Sequence, residues 1–134
     1  MTGPARMTDV VLDASAVLAV LNGEPGAEAV WDCLPGAHLS AVNAAEVAAK
    51  LVDGGLDAER AGQSLERLGA RVVPFEAADV VPVAQIRAAT RSAGLSLGDR
   101  ACLALAQRLG WPALTADRQW RDIQVDIEVR MIRD

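Results

Sequence analysis

Histidine occurs once (His38), lysine once (Lys50) and cysteine twice (Cys33 and Cys102) in 134 residues. The cysteines lie far apart with no C-x-x-C spacing, so neither a zinc site nor a disulfide framework is indicated, and a reducing cytoplasm is the expected compartment. No apolar run approaches the ~20 residues of a membrane span. Met1 to Thr8 is too short and too polar for a secretory signal, so a soluble cytoplasmic chain with no membrane partner is expected. Dinucleotide and P-loop glycine signatures are missing as well. Repeats, linkers and low-complexity tracts are also absent.

What is present is ample core material, with 51% hydrophobic residues. That suffices for a single domain over residues 1–134, with 1–8 a loose N-terminal arm. A formal net charge of −5 opposes broad attraction to nucleic acid. Twelve of the thirteen basic residues, however, are arginine, the side chain best shaped to grip phosphate.

Short apolar runs alternate with helical periodicity. Asp9 to Asp13 reads as a strand and Ala14 to Leu21 as a helix, broken by Asn22 to Gly26. Ala27 to Leu34 reads as a second helix and His38-Leu39 as a minimal strand. A helical hairpin is expected from Asn43 to Leu68, with Gly54-Gly55 at its turn. Arg71 to Phe75 reads as a third strand, its proline marking an edge or a strand end. Ala77 to Ala93 reads as one long helix closed by Gly94, with Val80-Val-Pro-Val83 and Ile86 either core packing or a dimer patch, and core for part of it. Leu97 to Leu109 is apolar on nearly every face, which marks a central buried helix. Pro112 to Thr115 and Ile127 to Ile132 are the last strands, with Asp117 to Asp122 a turn or short helix. The pattern predicts an α/β domain with a mainly parallel sheet.

Four acids fall where such a sheet places its chemistry, outside the carboxyl ends of the strands. Asp13 ends the first strand and Asp117 follows the fourth, while Glu46 and Asp99 sit in the first turns of helices. Each has a capping explanation. Asp13 and Asp117 suit N-caps, Asn43-x-x-Glu46 and Ser96-x-x-Asp99 fit a capping box, and Glu46 can pair with Lys50 one turn on. Together they weigh differently, because carboxylates ~5 Å apart repel by about 3 kcal/mol per pair at an effective dielectric of 20. A cation would neutralise that cluster. With no histidine or thiolate set beside the acids, the ion expected is hard and oxygen-liganded, Mg²⁺ or alternatively Mn²⁺. Such an ion activates water and stabilises charge on a phosphoryl oxygen, which points to phosphodiester hydrolysis.

The segments Val11-Leu-Asp13-Ala-Ser15-Ala16, Leu39-Ser-Ala-Val-Asn-Ala-Ala-Glu46-Val47, Leu97-Gly-Asp99-Arg-Ala-Cys-Leu-Ala-Leu-Ala106 and Leu114-Thr-Ala-Asp117-Arg-Gln-Trp120 closely resemble the PIN-domain family. More narrowly they are similar to the VapC toxins of bacterial toxin–antitoxin pairs. The resemblance implies a three-layer α/β/α sandwich, metal-dependent endoribonuclease activity on RNA, and a homodimer restrained by a cognate VapB-type antitoxin. It also implies Asp13 and Asp99 as principal magnesium ligands, Glu46 and Asp117 as the rest of the acidic pocket, and Ser15 and Thr115 as hydroxyls orienting those carboxylates or a phosphate. Arg118 is a candidate phosphate contact, with Arg100 a weaker one and Asp122 a solvated turn residue. His38 and the cysteines receive no catalytic role.

Other chemistries fit less well. A haloacid-dehalogenase-type phosphatase needs an aspartate where Ser15 stands, and a phospho-receiver domain needs a lysine at its acidic pocket, whereas the only lysine lies on a helix. The remaining alternatives are a PIN-domain RNA-processing nuclease without an antitoxin and a non-catalytic binding protein of the same fold.

Overall fold

A computed structural model describes residues 9–134; the expected N-terminal arm at 1–8 lies outside the described residues. Five strands form one sheet: β1 (Val10–Leu12), β2 (Ala37–Ser40), β3 (Arg71–Val73), β4 (Ala113–Thr115) and β5 (Val129–Met131). Their order is β3-β2-β1-β4-β5, and all four pairings are parallel. Six α-helices make the crossovers among the described residues: α1 (Ala14–Asn22), α2 (Ala27–Cys33), α3 (Ala41–Asp53), α4 (Ala58–Leu68), α5 (Val80–Ala89) and α6 (Leu97–Leu109).

The alternation of strand side chains divides the core in two. Val10 and Leu12 face one cluster with Val17, Val30, Val47 and Leu68 of α1 to α4. Val11 faces the other, with Val83, Ile86, Leu103 and Trp120 from the α5 and α6 side. Helices therefore cover both faces, giving the expected three layers. α6 is buried at Gly98 and from Ala101 to Ala106, because it meets α5, α3 and the sheet at once.

Several boundaries differ from the sequence reading. The third helix starts at Ala41, with the Ser40 hydroxyl accepting from Val42 N at 3.2 Å, so Asn43 lies inside the helix and forms no capping box with Glu46. β2 is longer than His38-Leu39, and β3 stops at Val73 before Pro74, on the sheet edge that the proline suggested. β5 is shorter than Ile127 to Ile132. The expected long helix from Ala77 to Ala93 is three pieces. A 3-10 turn at Ala77–Asp79 carries a Glu76/Asp79 capping box, and a second 3-10 turn follows α5 at Arg91–Ala93. The buried Thr90 hydroxyl donates to Ile86 O at 2.7 Å, a back-bond that competes with helix continuation. In α5, Val83 and Ile86 are core while Val80 and Val81 are exposed. Cys102 is buried, but Cys33 is only half-buried.

Candidate active site

Strand order reverses at β1: the chain leaves it toward β2 and returns on its other side as β4. Open parallel sheets bind their ligands beyond the strand ends at such a switch point. Asp13 N donates to Leu114 O at 2.9 Å there, so the segments carrying Asp13 and Asp117 are laced together.

Asp13 occupies the N-cap position of α1, yet its side chain makes no cap bond. Its Oδ2 instead accepts from Ser15 Oγ at 2.6 Å and from Thr115 Oγ1 at 2.7 Å. The hydroxyls are themselves aimed. Ala116 N donates to Ser15 Oγ at 2.9 Å and Asp117 N to Thr115 Oγ1 at 3.0 Å, so each hydroxyl takes one backbone proton and gives its own to the carboxylate. Asp13 is 3% exposed. Burial pushes its pKa up to about 6, with the Asp99 charge adding to the rise and the two hydroxyls opposing it.

Asp99 closes a true capping box: Ser96 N donates to its Oδ2 at 2.9 Å, and its own N donates to Ser96 Oγ at 3.1 Å. Burial still raises its pKa, and Asp117 raises it further. Glu46, raised by burial and then by Asp99, receives a 3.2 Å hydrogen bond at Oε1 from Asn43 Nδ2. Asp117 caps a 3-10 turn through Gln119 N at 2.9 Å. The four acids thus interact electrostatically through Asp99, which couples to Asp13, Glu46 and Asp117. Among the described residues, no three carboxylate, imidazole or thiol side chains already stand close enough to share a metal ion.

Four further residues shape the pocket and escaped the sequence reading in that role. Asn43 is fully buried, bridges Glu46 and Gly98 O (2.9 Å), and leaves its Oδ1 without a partner. Gly98 lies flush against Glu46, and a Cβ there would overlap the carboxylate. Trp120 Nε1 is a second buried polar atom without a hydrogen bond, close enough to Asp99 to draw its pKa down. Cys102 lies beneath the acids, its thiol held neutral by burial and by Asp13, Asp99 and Glu46. A polar residue one turn before an acid, as Asn43 is before Glu46, was the available signal.

The arginines are placed otherwise. Arg118 is exposed and donates to Asp134 O at 3.4 Å. Arg100 ties α6 to α5, donating to Ser96 O at 3.3 Å and Val83 O at 3.5 Å. His38 packs its ring on Trp111, centroids 4.6 Å apart, toward the opposite ends of the strands. Asp122 is exposed.

The PIN domain family model matches residues 10–126. No curated protein sequence matches the chain. Among solved structures it is similar to VapBC2 from Rickettsia felis bound to a promoter DNA fragment, at TM-score 0.71 and 13% identity over 91% of this chain and 97% of that one. A toxin–antitoxin complex from Klebsiella pneumoniae gives 0.72 and 15% over 93% and 98%. FitAcB from Neisseria gonorrhoeae gives 0.64 and 24% over 90% and 95%.

Proposed function

The chain belongs to the PIN domain family, whose members are generally nucleases, and from that premise we propose that it is a Mg²⁺-dependent endoribonuclease, the toxin of a VapBC-type toxin–antitoxin pair. One observation carries the reading: Asp13, Glu46 and Asp99, brought together beyond the strand ends at the switch point, all have pKa values raised by burial first and by one another's or Asp117's charge after it. Structural carboxylates show the reverse, since ion pairs lower their pKa.

The donors fit a hard divalent ion. They are all oxygen, and the orphaned Asn43 Oδ1 beside Glu46 is a further acceptor that an ion-bound water would satisfy. Asp13 and Asp99 would be the principal ligands, with Glu46 and Asp117 completing the set. The bonds from Ser15 and Thr115 pin Asp13, and cap bonds pin Asp99 and Asp117, so the longer Glu46 side chain is the one that would turn toward a bound ion. A bound ion would lower the pKa of water and stabilise charge on a phosphoryl oxygen. Ser15 and Thr115 hold Asp13 in one rotamer, and Ser96 does the same for Asp99. Glu46, less buried than Asp13 and held by no cap bond, would be the carboxylate free to accept a proton from an attacking water.

The test is incubation of purified protein with total cellular RNA in Mg²⁺ or Mn²⁺, followed by mapping of the cut ends. Asp99→Asn is the control, because its amide oxygen still accepts from Ser96 N while the charge is lost. Cleavage by the wild type that chelator and Asp99→Asn both abolish is expected; equal cleavage by both proteins in chelator sinks the proposal. The VapB-type partner is tested by competition. An arginine entering among the acids would replace the ion's charge and fork onto the carboxylates. Mg²⁺ and the partner should then weaken each other's binding by the same factor. Homodimerisation is read by sedimentation.

A further inference from the structure

We propose that single-stranded RNA leaves the acidic crevice along the α3–α4 hairpin, its phosphates met by Lys50, Arg60 and Arg67 and an unstacked base met by Trp31. The inference rests on the ribonuclease reading and adds a path to it. Three clefts line that face and run into one another. The first, about 560 Å³, begins at Ser15 beside Asp13 and carries Lys50 on its wall. Leu56 is shared with the second, about 500 Å³, which is lined by Arg60 and Arg67. Ser64 and Arg67 are shared with the third, about 240 Å³, which ends at Trp31.

Charge along this path is sorted. On α4, Arg60, Gln63, Ser64 and Arg67 follow i, i+3, i+4, i+7 and form one stripe, whereas Glu59 and Glu66 fall about 100° to one side. Glu24, the acid that lines the first cleft, receives Arg133 Nη1 at 3.1 Å; Asp57 caps α4 through Arg60 N at 2.8 Å and stands 3.7 Å from the Arg60 guanidinium, an exposed, solvent-screened pair that a phosphate would displace. The only lysine of the chain lines the cleft that reaches Ser15. In a chain of net charge −5 this is a polyanion's route rather than a general attraction. Trp31 is 56% exposed, while Trp120 is buried. An exposed indole beside a guanidinium offers a stacking platform that any base can use. Sequence-tolerant stacking and phosphate contacts suit a single strand better than a duplex.

The experiment is cleavage of an unstructured oligouridylate in Mg²⁺ by the full chain, with kcat/KM measured against salt. Each lost phosphate contact should flatten the log–log slope by about 0.7. Lys50→Ala is therefore expected to flatten it by about 0.7, and Arg60→Ala/Arg67→Ala together by about twice that. Arg71→Ala/Arg87→Ala changes the net charge equally on exposed residues elsewhere and should leave the slope alone. Trp31→Ala should lower kcat/KM by about tenfold with the slope kept, and Trp31→Phe should restore most of it. Two outcomes separate the failures. If the wild type cuts no RNA, the ribonuclease reading falls and takes the path with it. If the wild type cuts RNA but the Arg60/Arg67 and Arg71/Arg87 pairs behave alike, only the path is overturned; the same holds if the hairpin variants release a bound partner protein while the RNA slope stays fixed.

Discussion

Asp13→Asn should stabilise the metal-free protein at neutral pH and do nothing for it in acid. Asp13 titrates at about 6 in the fold against 3.8 for the free side chain. Between those values the folded chain holds a proton that the unfolded chain has lost, so stability falls as pH rises, beginning near 4 and complete above about 6. Two pKa units at 1.36 kcal/mol each give a penalty of about 3 kcal/mol at pH 7. Asparagine cannot ionise, and its Oδ1 still accepts from Ser15 and Thr115. Part of the gain returns where its amide nitrogen faces the Ala14 N–H that now bonds the carboxylate, so an increase of about 1–3 kcal/mol is expected, at most roughly 10 °C in Tm. The assay is urea unfolding of both proteins in chelator from pH 4 to 8, because their difference cancels the titrating groups that are not coupled to Asp13 and leaves Asp13 with its Asp99 interaction. Saturating Mg²⁺ should close or reverse the gap, adding about 2.7 kcal/mol to the wild type at a hundredfold excess over Kd and little to the variant. A difference that is flat across pH 4 to 8, or a variant less stable at pH 7.5 in chelator, refutes the reasoning.

Two further substitutions separate stability from chemistry. Gly98→Ala should leave stability unchanged or raise it by up to about 1 kcal/mol through helix propensity, because the atom its Cβ meets is the mobile end of Glu46; the displaced carboxylate should nonetheless cost most of the cleavage, and an active variant would remove Glu46 from the site. Thr115→Val keeps the shape but strands the Asp117 N–H and removes a donor from Asp13, so a loss of about 1–3 kcal/mol is expected, with the acidic limb of the kcat/KM pH profile moved upward; an unmoved limb would mean that the Thr115 hydroxyl does not tune the site.

Element type was legible wherever a single period dominated. β1, α6 and the α3–α4 hairpin follow directly from runs of apolar residues at the right spacing, and the edge position of β3 follows from Pro74. The helix expected over Ala77 to Ala93 was misjudged because its breaks are tertiary and polar. Thr90 turns its hydroxyl onto Ile86 O, and Asp79 is buried against Arg108 at 3.7 Å, and neither contact leaves a trace in hydrophobic periodicity. The start of α3 was misplaced because Ser40 and Asn43 are both competent caps. Only the fold decides between them, by burying Asn43 and leaving Ser40 to meet Val42 N.

The acids raise a subtler point, since capping and chemistry were opposed in the sequence as rival explanations. They are rivals only if a carboxylate has one use. Asp99 Oδ2 accepts from Ser96 N in the capping box, Asp117 Oδ1 accepts from Gln119 N, and Glu46 Oε1 accepts from Asn43 Nδ2. Among the described residues, the second oxygens of Asp117 and Glu46 close no hydrogen bond with the protein, and Asp99 has only the Trp120 indole beside its capping bond. A cap bond fixes the rotamer of a short side chain and so removes the entropy that an ion or substrate would otherwise have to freeze. In the proposed site, capping at Asp99 and Asp117 would therefore serve the chemistry rather than compete with it. Asp13 departs from this pattern as the most buried of the four. It occupies a cap position without capping and spends its Oδ2 on two hydroxyls. No local spacing rule could have revealed that, because Thr115 lies 102 residues away and reaches it only through the strand order of the sheet.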